Sequence, residues 1–143
     1  MSSEIVFQNN RLRIVAGAAQ TGGAFTVIDY VAGAGFEMPI PHIHEDVDEL
    51  CYVLDGELTI VVGAETIDAG PGQMVWKPRG VPHSFRVKGS RGARFIEVST
   101  PSGIELYFEE AAALMAGGRM PDPAELMALM SKHRMKPAPR VTS

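Results

Sequence analysis

Two histidines and a glutamate in the first half of the chain have the types and spacing of metal ligands. His42 and His44 are separated by one residue, and Glu49 follows soon after. In a β-strand, side chains two positions apart point to the same face, so both imidazoles can face the interior of a sheet. Two neutral imidazoles and a carboxylate on one small surface suit a divalent transition metal.

A fourth ligand is expected from a second segment further along the chain, where His83 follows a turn rich in glycine and proline. A His-x-His pair alone is weak evidence, because two histidines on a strand are often ordinary surface residues. A second patterned segment strengthens the hypothesis. We therefore predict a site formed by His42, His44, Glu49 and His83, with room left for water, dioxygen or substrate.

Both segments resemble the two sequence motifs of the cupin family. Residues 35–56 resemble the first motif, with six residues instead of the usual five between Gly35 and His42. Residues 72–87 resemble the second motif, although Val87 stands where the family often has asparagine, which is not a ligand. The matching positions are Gly35, His42, His44, Glu49, Gly56, Gly72, Pro78, Gly80 and His83.

The resemblance implies a small single-domain cupin of the type-2 conserved-barrel kind, similar to the quercetinase-like dioxygenases. The implied fold is all-β, a cupin β-barrel (a double-stranded β-helix of the jelly-roll type). In quercetinase-like dioxygenases the glutamate of the ligand set is both ligand and base, which implies both roles for Glu49. Small single-domain cupins commonly dimerise, so the resemblance also implies a homodimer.

The remaining pattern of the first hundred residues favours the same architecture. Short β-rich runs alternate with glycine and proline turns at intervals of about ten residues, which is typical of a sandwich or barrel. If Glu49 points inward, alternation turns Cys51 and Val53 inward as well. The predicted substrate pocket is apolar and consists of Ile40, Val53, Phe85 and Val87. Such a chamber around an ion favours a flat or hydrophobic substrate.

After Pro101 the apolar period changes from two to about 3.6, which indicates one or two C-terminal helices. Ser102 and Glu105 match a capping box, and Asp122 begins a second capping signal. The favoured interpretation is that the helices pack outside the barrel or against a second subunit, and the alternative is that Tyr107 and Phe108 cap its mouth. The predicted divisions are a barrel over residues 1–100, a helical appendage of the same domain over 101–135 and a loose tail over 136–143.

Composition limits the possible partners. The 143 residues carry a net charge of -4, which argues against nucleic acid and anionic membrane as partners and leaves a small-molecule substrate. Cys51 is the one cysteine, so no intrachain disulfide can form, in keeping with a cytoplasmic location. The N-terminus lacks the features of a signal peptide, and no apolar run is long enough to span a bilayer.

The leading functional hypothesis is a metal-dependent dioxygenase that acts on a small aromatic or enolisable hydroxy-carbonyl compound of flavonol type. The first alternative is a redox-neutral metal-dependent cyclase or isomerase of a polyketide-type pathway, with the metal as a Lewis acid. The second is a non-enzymatic barrel that binds a small molecule. The ligand set suits one divalent ion of Ni, Fe, Mn, Co, Cu or Zn and does not choose among them.

Overall fold

Short strands dominate the computed structural model of the chain, which describes residues 3–140. The strands in chain order are β1 (Ser3–Phe7), β2 (Asn10–Ala16), β3 (Thr26–Ala32), β4 (His42–His44), β5 (Asp48–Asp55), β6 (Glu57–Val62), β7 (Glu65–Ala69), β8 (Met74–Lys77), β9 (His83–Lys88), β10 (Ala93–Thr100) and β11 (Met135–Pro137). The helices are α1 (Ala18–Thr21), α2 (Ile104–Leu114) and α3 (Pro123–Lys132), with a 3-10 turn at Ala116–Gly118 between the last two.

The strands form two antiparallel sheets, which confirms the all-β barrel. One sheet has six strands in the order β1-β2-β3-β10-β5-β8, and the other has five in the order β11-β4-β9-β6-β7. Their inner faces share one core that includes Leu12, Ile28, Val53, Leu58 and Phe95. Because the ligand-bearing strands lie in both sheets, closure of the barrel brings the predicted ligands together.

Period-two alternation explains which face of each strand is buried. In β2, Leu12 and Ile14 point inward while Arg11 and Arg13 stay in solvent. In β5, Cys51 and Val53 are buried while Tyr52 is 40% exposed, as the inward orientation of Glu49 predicts.

Gly56 closes the hairpin between β5 and β6 in a conformation that only glycine adopts easily. Its φ is 77°, and a Cβ at this position would lie 2.5 Å from the carbonyl oxygen of Gly92. The glycine of the first motif therefore has a steric reason, which is the close approach of the hairpin to the start of β10.

The two C-terminal helices begin differently. α3 has the predicted capping box, in which Asp122 accepts from the backbone N–H of Ala124 and Glu125 accepts from that of Asp122. The predicted box at the start of α2 does not form, because Gly103 is the N-cap residue there. The carboxylate of Glu105 instead accepts hydrogen bonds from Ala18 N and Thr26 Oγ1, at 2.8 and 2.7 Å. It ties α2 to the barrel and also accepts a hydrogen bond of 2.9 Å from the N–H of Gly103, the N-cap residue of its own helix.

The chain after α3 returns to the barrel. Strand β11 pairs with β4 in antiparallel register, so that Met135 lies opposite His44 and Pro137 opposite His42. Ala138 N donates to Pro41 O at 2.8 Å. The expectation of a loose tail from residue 136 therefore differs from the structure over 136–138, because the open edge of β4 offers backbone partners. Residues 141–143 of that predicted tail lie outside the described residues.

Candidate metal centre

Three histidines come from two adjacent strands of the five-stranded sheet. His42 and His44 occupy both ends of β4, and both side chains are buried, as alternation predicts. β9 pairs with β4 so that His83 lies opposite His42. The ring centroids of the three imidazoles lie 4.6 to 5.4 Å apart.

Glu49 reaches the histidines from the opposite sheet. Its Oε1 lies 3.0 Å from His44 Nε2 and 3.2 Å from His83 Nε2. Its other oxygen, Oε2, accepts a hydrogen bond of 3.2 Å from Ser99 Oγ. The carboxylate therefore has two distinct sides: Ser99 holds one oxygen, and the other faces the imidazoles. The sequence analysis does not identify Ser99, although Ser99 points to the same face of β10 as Glu97 and Phe95.

The protonation of the histidines suits metal binding. Burial, together with the neighbouring His83 and His44, lowers the pKa of His42 to about 3, and burial also lowers the pKa of His83. His42 Nδ1 lies 3.2 Å from the carbonyl oxygen of Ile40. Because a carbonyl only accepts, Nδ1 carries the proton and Nε2 presents a lone pair.

The pKa of Glu49 lies well below its ordinary value. Burial acts in the opposite direction, but the neighbouring His44 and Lys77 outweigh it, and His83 adds to their effect. The carboxylate is therefore ionised at neutral pH, which is the form that binds a cation.

The donor set fits a single divalent ion. The ligand atoms of His42, His44, Glu49 and His83 lie within 4.8 Å of one another, and all four residues are buried. Bonds from such an ion to imidazole or carboxylate are about 2.1 Å long, so a cluster of this size is compact enough to hold one ion. Glu49 Oε1 is also a buried atom that lacks a conventional hydrogen bond. A cation between this oxygen and the ring nitrogens would satisfy it.

A chamber of about 260 Å³ opens onto the ligand cluster. Its wall is mainly apolar and rich in aromatic rings. Ile40 and Phe85 lie on this wall, as predicted. Val53 and Val87 do not line it and belong to the core. Each lies four residues along its strand from a metal ligand, which is roughly 13 Å at the usual rise. Alternation therefore predicts correctly that both side chains point into the barrel, but it does not predict how far along the barrel axis they lie. The aromatic residues of the wall are Phe7, Tyr30, Phe36, Phe85, Phe95, Tyr107 and Phe108.

The C-terminal helices cover the mouth of this chamber. Tyr107, Phe108 and Ala111 of α2 and Leu126 and Met130 of α3 line it. The Phe108 ring stacks on Phe7 of β1 with centroids 6.4 Å apart. The structure therefore supports the alternative interpretation, in which Tyr107 and Phe108 cap the barrel, and not the favoured one.

Two buried charged residues stand beside the ligands and were also missed from the sequence. Lys77 of β8 forms an ion pair with Glu97 of β10, and both line the chamber. Burial would lower the pKa of Lys77, but the carboxylates of Glu97 and Glu49 outweigh it and raise that pKa. The ammonium therefore stays charged. The available signal was alternation, since Lys77 follows the buried Val75 by two positions and Glu97 follows the buried Phe95 by two.

The fold agrees with the comparisons with known proteins. A family model described as the cupin domain matches residues 27–99, about half of the chain. The chain therefore belongs to the cupin family. Within it, quercetin 2,3-dioxygenase of Bacillus subtilis (strain 168) is 32% identical over 78 residues, which are 54% of this chain and 23% of that protein. The chain thus spans about a quarter of that relative.

Solved structures show the same fold at lower identity. KdgF from Halomonas sp. superposes with a TM-score of 0.63 at 18% identity, over 73% of this chain and 90% of that one. The polyketide cyclase RemF from Streptomyces resistomycificus gives a TM-score of 0.61 at 22% identity, over 71% of this chain and 75% of that one. No helix among the described residues has the length and apolarity needed to cross a membrane.

Proposed function

We propose that this protein is a metal-dependent dioxygenase that acts on a small aromatic or enolisable hydroxy-carbonyl compound of flavonol type. The observation that carries the proposal is the buried cluster of three histidines and one glutamate, which opens into an aromatic-lined chamber. The similarity to a quercetin 2,3-dioxygenase supports the same reaction class.

Each residue of the cluster has a defined task in this reaction. His42, His44, His83 and Glu49 hold one divalent ion, which when bound polarises a hydroxy-carbonyl pair and, if redox-active, supports dioxygen chemistry. The aromatic wall orients a flat substrate and excludes bulk water. Helices α2 and α3 hold the substrate against the cluster.

Glu49 is the proposed catalytic base. It takes the proton from the substrate hydroxyl, while Ser99 keeps its second oxygen in place. In the overall reaction both atoms of one dioxygen molecule enter the substrate and a carbon–carbon bond breaks, so no separate reductant is consumed.

Oxygen uptake with matched substrates tests the proposal. Protein purified without added metal is analysed for its metal content and given 3-hydroxyflavone, or flavone as the control that lacks the hydroxyl. We expect one redox-capable ion per chain and oxygen uptake with 3-hydroxyflavone only. Absence of uptake across flavonols and related enols, with Fe, Mn, Ni, Co or Cu loaded in turn, would reject the dioxygenase.

A redox-neutral cyclase or isomerase is the second candidate. It is favoured by the ligand set, which serves zinc as well as redox-active ions, and by the likeness in fold to a polyketide cyclase. Zinc in the purified protein and substrate turnover without oxygen uptake would select it. Binding without turnover of any kind would leave a barrel that only binds a small molecule.

A further inference from the structure

Lys77 places a positive charge inside a chamber whose wall is mainly apolar. Among the described residues that line the chamber, it is the only lysine or arginine. It lies directly across from Glu49 in the pairing of β8 with β5, so both side chains point into the barrel. Its exposed fraction is 7%, and that of its partner Glu97 is 5%.

The pair of Lys77 and Glu97 crosses the strand that carries the glutamate ligand. Glu97 on β10 lies opposite Cys51, two positions beyond Glu49 on β5. The bond between Lys77 Nζ and Glu97 Oε1 therefore runs diagonally over β5, immediately beside Glu49. This places the ammonium next to the ligand cluster rather than at the far end of the barrel.

Stability does not explain this pair. Removing two charges from water costs several kcal/mol per ion, and a well-packed apolar pair of similar volume is often as stable or more stable. An ammonium has three N–H donors. Among the described residues, Lys77 Nζ donates a hydrogen bond to one oxygen, Glu97 Oε1. The other donors remain for a ligand in the chamber.

We propose that Lys77 is a substrate-binding residue whose ammonium binds the ionised oxygen of a monoanionic substrate in the chamber. The inference rests on the proposed function, in that the chamber holds the substrate. Coulomb interactions are strong in such buried surroundings, so the ammonium favours an anionic ligand over a neutral one.

The enolate of a flavonol has the required chemistry, since loss of the hydroxyl proton leaves one negative charge beside a carbonyl on a flat aromatic body. A neutral ligand of the same shape would fill the apolar wall equally well but would leave the ammonium without its anionic partner. Lys77 thereby selects for ionisation of the substrate, while the aromatic rings select for its shape.

The role of Lys77 is tested with zinc-loaded protein. Zinc is not redox-active, so the bound probe is not oxidised during the measurement. The dissociation constants of 3-hydroxyflavone and of flavone are measured for the wild type, K77M/E97Q and E97Q, together with the absorption of the flavonol anion. The double variant removes both charges at nearly constant volume, so Glu97 is not left buried and unpaired. Metal content and melting temperature are measured on the same samples.

We expect K77M/E97Q to bind 3-hydroxyflavone at least about tenfold more weakly, or about 1.4 kcal/mol, and to lose the anion absorption. Flavone binding and zinc content should not change. E97Q, which keeps the ammonium, should bind the flavonol as tightly as the wild type or more tightly. An unchanged ratio of the two constants in the double variant would overturn the role of Lys77.

Two further outcomes would also overturn the proposal. If the double variant does not fold, a tenfold loss of flavonol binding in E97Q contradicts a ligand role for the free ammonium. If the wild type binds neither probe, the flavonol-type substrate and the role of Lys77 both fail. Oxygen uptake is measured separately, so failure of Lys77 alone leaves the dioxygenase proposal standing.

Discussion

Ser99 Oγ donates a hydrogen bond of 3.2 Å to Glu49 Oε2, the carboxylate oxygen that faces away from the histidines. This bond joins β10 to β5 at the register point where the two residues lie opposite each other. It fixes the rotation of the carboxylate, so that Oε1 points at the imidazoles of His44 and His83. Such outer partners orient metal ligands and strengthen metal binding.

Ser99→Ala should therefore weaken metal binding without unfolding the barrel. Loss of an outer partner typically costs about 10- to 100-fold in metal affinity, and we expect the low end because His42, His44 and His83 remain. Competition with a chelator measures the zinc affinity. Ser84→Ala is the matched control, since Ser84 is also buried on a strand but alternates with the inward His83. Equal zinc affinity in Ser99→Ala and the wild type would contradict the proposed task of the hydroxyl.

His83→Ala should remove most of the bound metal while circular dichroism still shows a folded barrel. The substitution takes away one of four ligands and leaves Glu49 Oε1 with fewer partners. His133→Ala is the control, because its imidazole lies outside the cluster, 3.4 Å from Glu110 Oε1. Elemental analysis of both variants gives the stoichiometry. Full metal content in His83→Ala would show that the fourth ligand is wrongly assigned.

The sequence predicts the four candidate ligands because strand parity and two glycine-bounded motifs specify them locally. It does not predict how deep a residue sits in the barrel, which explains why Val53 and Val87 lie in the core beyond the chamber. Lys77 and Glu97 were overlooked because a charged residue in a strand usually marks the solvent face. The path of α2 and α3 over the mouth depends on long-range packing that an apolar stripe does not encode.

Phe108→Ala should open the chamber without disturbing the ligands. The ring stacks on Phe7 and packs edge-on against Tyr30, each with centroids 6.4 Å apart. We expect a loss of about 2 kcal/mol in the free energy of unfolding, below the range for fully buried rings, and weaker binding of 3-hydroxyflavone. Zinc content should stay the same. Leu106→Ala, on the exposed side of the same helix, should change neither binding nor zinc. Unaltered flavonol binding in Phe108→Ala would contradict the proposal that α2 holds the substrate in the chamber.

Asp29→Asn should lower stability at neutral pH and remove part of the acid sensitivity of the fold. Hydrogen bonds from Arg94 lower the pKa of Asp29, and Arg13 adds to them, against the effect of burial. A carboxylate whose folded pKa is depressed stabilises the protein fully above its unfolded pKa of about 4 and loses that contribution as pH falls through the folded pKa.

The asparagine variant lacks this contribution at every pH. We expect it to be about 1–2 kcal/mol less stable at pH 7, since both arginines are half exposed, and the difference from the wild type should narrow below about pH 4. Urea titrations across this range measure both quantities. Asp55→Asn is the control, because its carboxylate is exposed and its nearest arginine contact is long. If the difference in free energy of unfolding between the variant and the wild type grew as the pH fell, the proposed role of the Asp29 carboxylate would be contradicted.

We propose that a second copy of the chain covers an apolar patch on the outer face of the six-stranded sheet, made of Tyr52, Leu54, Met74 and Trp76. These side chains are 40 to 58% exposed and lie on β5 and on the edge strand β8. Exposed apolar patches commonly mark interaction sites, and a two-fold axis through the patch would bury it against itself.

Trp76→Glu should therefore separate the two copies, because it places two like charges at the centre of the contact. Light scattering should give the mass of two chains for the wild type and of one chain for the variant, with unchanged zinc content. Val6→Glu, at the opposite edge strand β1 and also exposed, should keep the mass of two chains. The chamber opens on the inner side of the sheets, so separation should leave flavonol binding intact. A wild-type mass of one chain at every concentration tested would exclude the second copy and leave the patch to a different partner.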